Sequence, residues 1–207
     1  FHSISIKINQ SNNLTMKSNL FLFLFFHFTS TSIAKVLNVN LLAGSSYPPD
    51  GVGSNAQFNG PGSIDLSYDG SFALISDMNN HKVRKLTVST NSISTFVGGG
   101  STGTTSGNSN GVGTNALITN PRGIKINQDM SEAYLVDQSN HRICRIILST
   151  ATVTPLAGST SSSSGSTNGI GSNAKFYYPN DVAISSDSSY LLVIDSYNSQ
   201  IRKLILS

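Results

Sequence analysis

DGVGSNAQFNGPGSIDL (residues 50–66) returns as NGVGTNALITNPRGIKI (110–126) and again as NGIGSNAKFYYPNDVAI (168–184). Each copy leads into an apolar stretch ending in Asp: FALISD (72–77), EAYLVD (132–137) and YLLVID (190–195). MNNHKVRKL (78–86), QSNHRICRI (138–146) and SYNSQIRKL (196–204) follow, and STFVGG (94–99) and VTPLAG (153–158) close the first two copies. Gly51, Gly111 and Gly169 each precede a Pro by ten residues, and those prolines precede Asp77, Asp137 and Asp195 by sixteen. Only one segment is elastic: Gly44 to Gly51 spans seven residues, Gly98 to Gly111 thirteen, Gly158 to Gly169 eleven. Self-similarity at a fixed period marks a repeat architecture, each copy one supersecondary unit. A segment that varies inside an otherwise fixed unit reads as a surface loop.

The apolar runs are short, rich in Val, Ile, Leu, Phe and Tyr, and separated by Gly, Asn, Asp and Ser. Such runs read as strands and turns, so the chain is expected to be all-β. Each unit offers four strands, for example 62–67, 72–76, 82–88 and 93–97. The first two are nearly continuously apolar, as in strands buried on both faces. The third mixes Lys and Arg with apolar residues, which suggests a position nearer a solvated rim. Four-stranded sheets repeated at this period predict β-propeller blades, about three of them, with repeats near 50–97, 110–157 and 168–207.

The pattern of Pro, short apolar strand, a second strand ending in Val-Asp or Ile-Asp, then Asn-His-(Arg/Lys)-Ile/Val resembles the NHL-repeat family. It is fullest in NPRGIKI…LVDQSNHRICRI and spans roughly residues 38 to 206; the third copy departs from it with Asn198-Ser199-Gln200. The resemblance implies a propeller, usually six-bladed, of which this sequence would be about half. It also implies that VNLLAG (39–44) supplies an outer strand to a closing blade beyond the third copy.

The amino end reads differently. Met16-Lys17-Ser18-Asn19 is a short basic start, LFLFLFFHF (20–28) an apolar run, and TSTSIA ends with small residues at Ser32 and Ala34. This predicts a signal peptide over 16–34 with cleavage after Ala34, hence secretion, and makes residues 1–15 an upstream extension. Setting aside Lys7 and Lys17 leaves eleven of the thirteen Lys and Arg against ten Asp and Glu from Lys35 onward. Such a balance lacks the basic footprint of a nucleic-acid binder. The single cysteine, Cys144, has no partner for an intramolecular disulfide.

LVDQSNHRICRI (135–146) sets an acid, a histidine and that cysteine within twelve residues, and either a catalytic group or a structural rule can place them there. Superposing the copies separates the two readings. His141 aligns with His81 but also with Ser199, and Cys144 aligns with Arg84 and Arg202. Only Asp77/Asn80, Asp137/Asn140 and Asp195/Asn198 recur in every copy. A catalytic site needs one geometry once, whereas a turn needs the same chemistry in each blade. Asp and Asn supply it by bonding nearby backbone. These six are therefore expected as structural turn residues, with no catalytic residue, metal or cofactor assigned. The Ser/Gly-rich stretches 98–110 and 158–169 lack the Lys-Ser/Thr and helix of a phosphate loop. Lys82, Arg84, Lys85, Arg142, Arg145, Arg202 and Lys203 lie on third strands, where long stems can cover apolar surface while the heads reach water.

The expected function is a secreted recognition module that binds a protein, peptide or glycan through one loop face. The elastic loops (45–60, 99–120, 159–178) and the Asp-to-Asn turns should emerge together on that face, opposite short hairpins such as SYDGS and SSDSS. Candidate binding residues there are Tyr47, Asn79, Arg122, Gln138, Asn180 and Tyr197, because rigid aromatic and Arg side chains are the commonest binding anchors. The alternative is a propeller hydrolase or lyase, gluconolactonase-like or peptide-amidating-lyase-like, with its metal site in a half not contained here.

Overall fold

The computed structural model describes residues 39–44 and 50–206. The predicted leader (16–34), the upstream extension (1–15) and Tyr47 lie outside the described residues. Three antiparallel sheets follow one another along the chain. Blade 1 contains β1 (Gly51–Val52), β2 (Pro61–Leu66), β3 (Phe72–Asp77), β4 (Lys82–Thr87) and β5 (Ser92–Gly98). Blade 2 contains β6 (Gly111–Val112), β7 (Pro121–Ile126), β8 (Glu132–Asp137), β9 (Arg142–Ile147) and β10 (Thr152–Gly158). Blade 3 contains β11 (Pro179–Ile184), β12 (Tyr190–Asp195) and β13 (Gln200–Ile205). The protein is all-β and its sheets are propeller blades.

The first two blades carry one strand more than the four expected. Their spatial orders are β1-β5-β4-β3-β2 and β6-β10-β9-β8-β7, so the Gly-Val of each repeat forms a two-residue strand on the outer edge. VNLLAG forms no strand: Val39, Leu41 and Leu42 are exposed.

Packing follows the period of two. On β8, Ala133 and Leu135 face blade 1 in a core with Leu74, Val83, Val97, Ile124 and Ile146, whereas Tyr134 and Val136 face blade 3 with Phe176, Val182, Leu191 and Val193. Fully burying each such aliphatic side chain contributes on the order of 1.5–3 kcal/mol. The middle blade is thus buried on both faces, as expected. Strand β2 is not, with Ile64 and Leu66 more than half exposed, because among the described strands it meets a neighbouring blade on one side only. The inner strands converge: a Cβ on Gly123 of β7 would lie 2.6 Å from the Asp181 Cα of β11, so only glycine fits there.

Two of the three third strands differ from expectation. β4 and β9 are largely buried because β5 and β10 flank them and Arg84 and Arg142 turn inward to carboxylates, whereas β13 is largely exposed, as expected of a solvated rim.

Candidate functional site

Each second strand ends in a fully buried aspartate on which three donors converge. Asp77 accepts the Asn59 backbone N–H at 2.7 Å, the Asn80 amide at 2.9 Å and Arg84 Nη1 at 3.1 Å. Asp137 accepts the Thr119 N–H at 2.7 Å, the Asn140 amide at 2.8 Å and Arg142 Nε at 2.7 Å. Asp195 accepts the Tyr177 N–H at 2.8 Å, the Asn198 amide at 2.9 Å and Arg202 Nη1 at 3.0 Å. The reach of these carboxylates is longer than a local turn, because each N–H comes from 18 residues upstream. The guanidinium groups continue to the carbonyls of Gln57, Leu117 and Lys175 at 2.7, 3.4 and 2.9 Å. Burial pushes the Asp137 carboxyl upward, opposed by Arg142, the Thr119 N–H and Asn140. Arg84 and Arg142 therefore spend their heads on buried carboxylates instead of extending them to water.

His81 and His141 close 3-10 turns in the left-handed conformation, with φ 54° and 55°. Each imidazole reaches the next blade. Nδ1 of His81 accepts the Asn120 N–H at 3.2 Å, and Nδ1 of His141 accepts the Tyr178 N–H at 3.1 Å. An accepting Nδ1 requires a neutral ring with its proton on Nε2. Both donors directly precede the proline of the next inner strand, at φ 52° and 46°, so the histidine holds a disfavoured backbone in place. Cys144 is fully buried, and burial pushes its thiol up, away from a nucleophilic thiolate. Asp137 and His141 thus bond to different groups, Arg142 for one and the Tyr178 N–H for the other, and Cys144 is no nucleophile beside them. Among the described residues no three His, Cys, Asp or Glu cluster as a metal site would require.

The turns and the prolines share one end of the blades. There Arg122 Nε donates to Gln138 Oε1 at 3.2 Å, and Gln138 Nε2 to Asn180 Oδ1 at 3.5 Å. Three of the candidate binding residues, from two blades, therefore form one polar strip. Asn79 lies apart from them, with its amide on Asn59 Oδ1 at 3.2 Å. Tyr197, two-thirds exposed, belongs to an aromatic group with Tyr178 at 4.9 Å, Tyr177 at 5.2 Å and, beneath Tyr178, His141 at 4.6 Å. Tyr178 is two residues before Asn180 in the chain, so blade 3 contributes to both the aromatic group and the polar strip. Tyr177 and Tyr178 were not singled out from the sequence. The signal was there, since YYP stands where the other copies have NGP and TNP.

The elastic loops do begin at this end, but they do not stay there. Gly107 and Gly165 accept Asn140 and Asn198 beside the turns, both at 2.7 Å. Further on, Gly111 pairs with Val153 and the Gly113 N–H donates to Ala151 O at the opposite end of blade 2. The difference in length falls between Gly98 and Gly107 in one copy and Gly158 and Gly165 in the next, on the turn side.

No family model matches the chain. NHL repeat-containing protein 2 from Bos taurus is 29% identical over 159 residues, covering 73% of this chain and 21% of that protein. Two solved structures resemble the fold. One is a protein of unknown function from Bacteroides thetaiotaomicron, with TM-score 0.62, 22% identity and coverage of 74% of this chain and 36% of that one. The other is an auxiliary nutrient binding protein from Bacteroides ovatus, with TM-score 0.61, 20% identity and coverage of 73% and 38%. The chain thus spans about a fifth of the bovine relative and little more than a third of either solved structure. The blade repeat, its Asp-Asn-His turns and this relative agree in making the chain similar to the NHL-repeat β-propellers.

Proposed function

We propose that the protein is an exported recognition module that binds a protein, peptide or glycan on the turn face of its blades. The observation that carries this reading is that the Arg122–Gln138–Asn180 strip and a tyrosine group with Tyr197 exposed both occur at the turn end of the blades. Beneath these groups the scaffold is rigid, because each turn is tied to a buried aspartate. Rigid aromatic and Arg side chains on a pre-formed surface bind with little loss of conformational freedom. Export is supported by the signal-peptide pattern over 16–34.

Replacing Tyr47, Arg122 and Tyr197 together by Ala in the full-length protein is expected to weaken binding to peptide and glycan arrays by at least about tenfold, with an unchanged melting temperature. Tyr68→Ala and Asp187→Ala, in the hairpins at the opposite end, are expected to leave binding intact. Loss of binding with the second set and not the first would place the ligand on the other face.

A further inference from the structure

Several hydrogen-bonding groups on the turn face are not used within the described residues. Arg122 uses Nε on Gln138, and among the described residues neither of its terminal nitrogens has a protein partner. No described carboxylate forms a salt bridge with it, although Arg84, Arg142, Arg145, Arg202 and Lys125 all have one. The Asn180 amide nitrogen and the hydroxyls of Tyr177, Tyr178 and Tyr197 likewise have no partner among the described residues; the Asn180 side chain accepts Gln138 through its oxygen. A ligand that complements this set brings a negative charge for Arg122 and an acceptor for the Asn180 amide, while the hydroxyls can donate or accept. It must also offer a flat apolar surface to the tyrosines, of which Tyr197 is two-thirds exposed.

The shape of the surface narrows the class. Two cavities of the described residues lie elsewhere: a cleft of about 1200 Å³ beside the outer part of blades 2 and 3, and one of about 470 Å³ among the opposite hairpins. Neither is lined by Arg122, Asn180 or the three tyrosines. A peptide gains specificity by sinking side chains into pockets or by adding a strand to a sheet edge. A sugar ring instead lays its C–H face on an exposed aromatic and bonds through its periphery, which needs a platform and not a pocket. A nucleic acid strand is disfavoured by the near balance of charge from Lys35 onward.

We infer that this face recognises a carboxylated carbohydrate, a uronate-bearing oligosaccharide, with the carboxylate on the Arg122 guanidinium, ring hydroxyls on Asn180 and the sugar face on Tyr197. The geometry fits the donor: a guanidinium held by its Nε keeps both terminal nitrogens on one edge, where they can grip a carboxylate as a fork. The inference rests on the turn face being the binding face.

Three of the seven tyrosines of the chain are in this group, so a change in tyrosine fluorescence that shrinks in Tyr197→Ala reports binding here. The probes are oligosaccharides of galacturonate, glucuronate and mannuronate, each paired with its methyl ester, which keeps the rings and removes the charge. The full-length protein should bind at least one acid form about tenfold or more tightly than its ester. Arg122→Gln should abolish that preference, Arg122→Lys should keep part of it, and Tyr197→Ala should weaken acid and ester alike. Unchanged melting curves would show that the variants are folded. Equal binding of acid and ester, an acid preference that survives Arg122→Gln, or no binding to any uronate would each overturn the inference. Capture of an acidic peptide through Arg122 and Tyr197 would overturn the carbohydrate and leave the face standing. Binding lost only on Tyr68→Ala would remove the face itself.

Discussion

Blade 2 and its neighbours meet the same electrostatic demand with side chains from different places. In blades 1 and 3 the buried aspartate is neutralised by Arg84 and Arg202, each the third residue of its strand. Blade 2 has Cys144 at that position, and its guanidinium comes from Arg142, the first residue of β9. Residues two apart on a strand share a face, so Arg142 sees the same carboxylate from one step closer to the turn. The residue beneath has changed as well. Arg84 lies over the Phe58 ring at 5.3 Å and Arg202 over Phe176 at 5.1 Å, whereas the matching residue in blade 2 is Ile118, packed with Cys144 in the core. With no guanidinium overhead, an aliphatic side chain and a thiol fill the space. What repeats between blades is a contact, and the lone cysteine is the filler its relocation left behind.

The largest expected effect comes from removing the carboxylate. Asp137→Ala strands Arg142 in the interior without a counter-charge and should cost about 3–5 kcal/mol, read from urea unfolding of the full-length protein. Asp77→Ala should cost clearly less, because Arg84 retains Asp50 at 2.6 Å, a carboxylate half in water. Equal losses in the two blades would break the comparison, since they would make Asp50 irrelevant to Arg84.

The second effect tests relocation directly. Arg142→Gln should destabilise by about 3 kcal/mol, because Asp137 then keeps only Asn140 and the Thr119 N–H. Adding Cys144→Arg and Ile118→Phe gives blade 2 the Gln-Ile-Arg and Phe of blade 3, and should restore more than half of the loss. Cys144→Arg alone, into a core that already holds Arg142, should destabilise by overpacking. If the combined variant is no better than Arg142→Gln, the two arrangements are not interchangeable solutions.

This relocation also marks how far the sequence could be read. The blades are legible because short apolar runs are separated by turn residues and their spacings repeat, so β3, β4, β8 and β9 fall where the apolar runs place them. Asp77, Asp137 and Asp195 stood out because they recur, yet their partners did not. Asn59, Thr119 and Tyr177 bond through backbone N–H groups, which any residue carries and no pattern reveals. In the sequence the third-strand arginines read as solvated because Lys and Arg on a strand usually are; the ion pairs of Arg84, Arg142 and Arg202 with buried aspartates close only in three dimensions. On the turn face, Arg122, Gln138 and Asn180 were visible as variable positions beside fixed ones. Tyr177 and Tyr178 were passed over because a pair of aromatics before a proline reads equally well as core.

The smallest effect separates the joint between blades 1 and 2, and that between blades 2 and 3, from the third turn, where Ser199 stands in place of histidine. His81 and His141 must be neutral to accept the N–H of Asn120 and Tyr178, and burial lowers the pKa of both below its ordinary value of 6.5. In the unfolded chain the histidines take up protons as pH falls through about 6.5, while the folded chain still resists. Unfolding therefore binds protons in that window. The contribution of the joints is fully present above pH 6.5 and is lost progressively as pH falls below it toward the folded-state value. Each joint is one neutral hydrogen bond, so the loss should be about 1 kcal/mol per histidine between pH 7.5 and pH 5. His141→Ser, which installs the residue of the third copy, should lower stability at pH 7.5 by a similar amount and remove about half of the pH dependence. Full pH dependence in the double variant His81→Ser/His141→Ser would assign the acid sensitivity to other groups and leave these imidazoles as spacers.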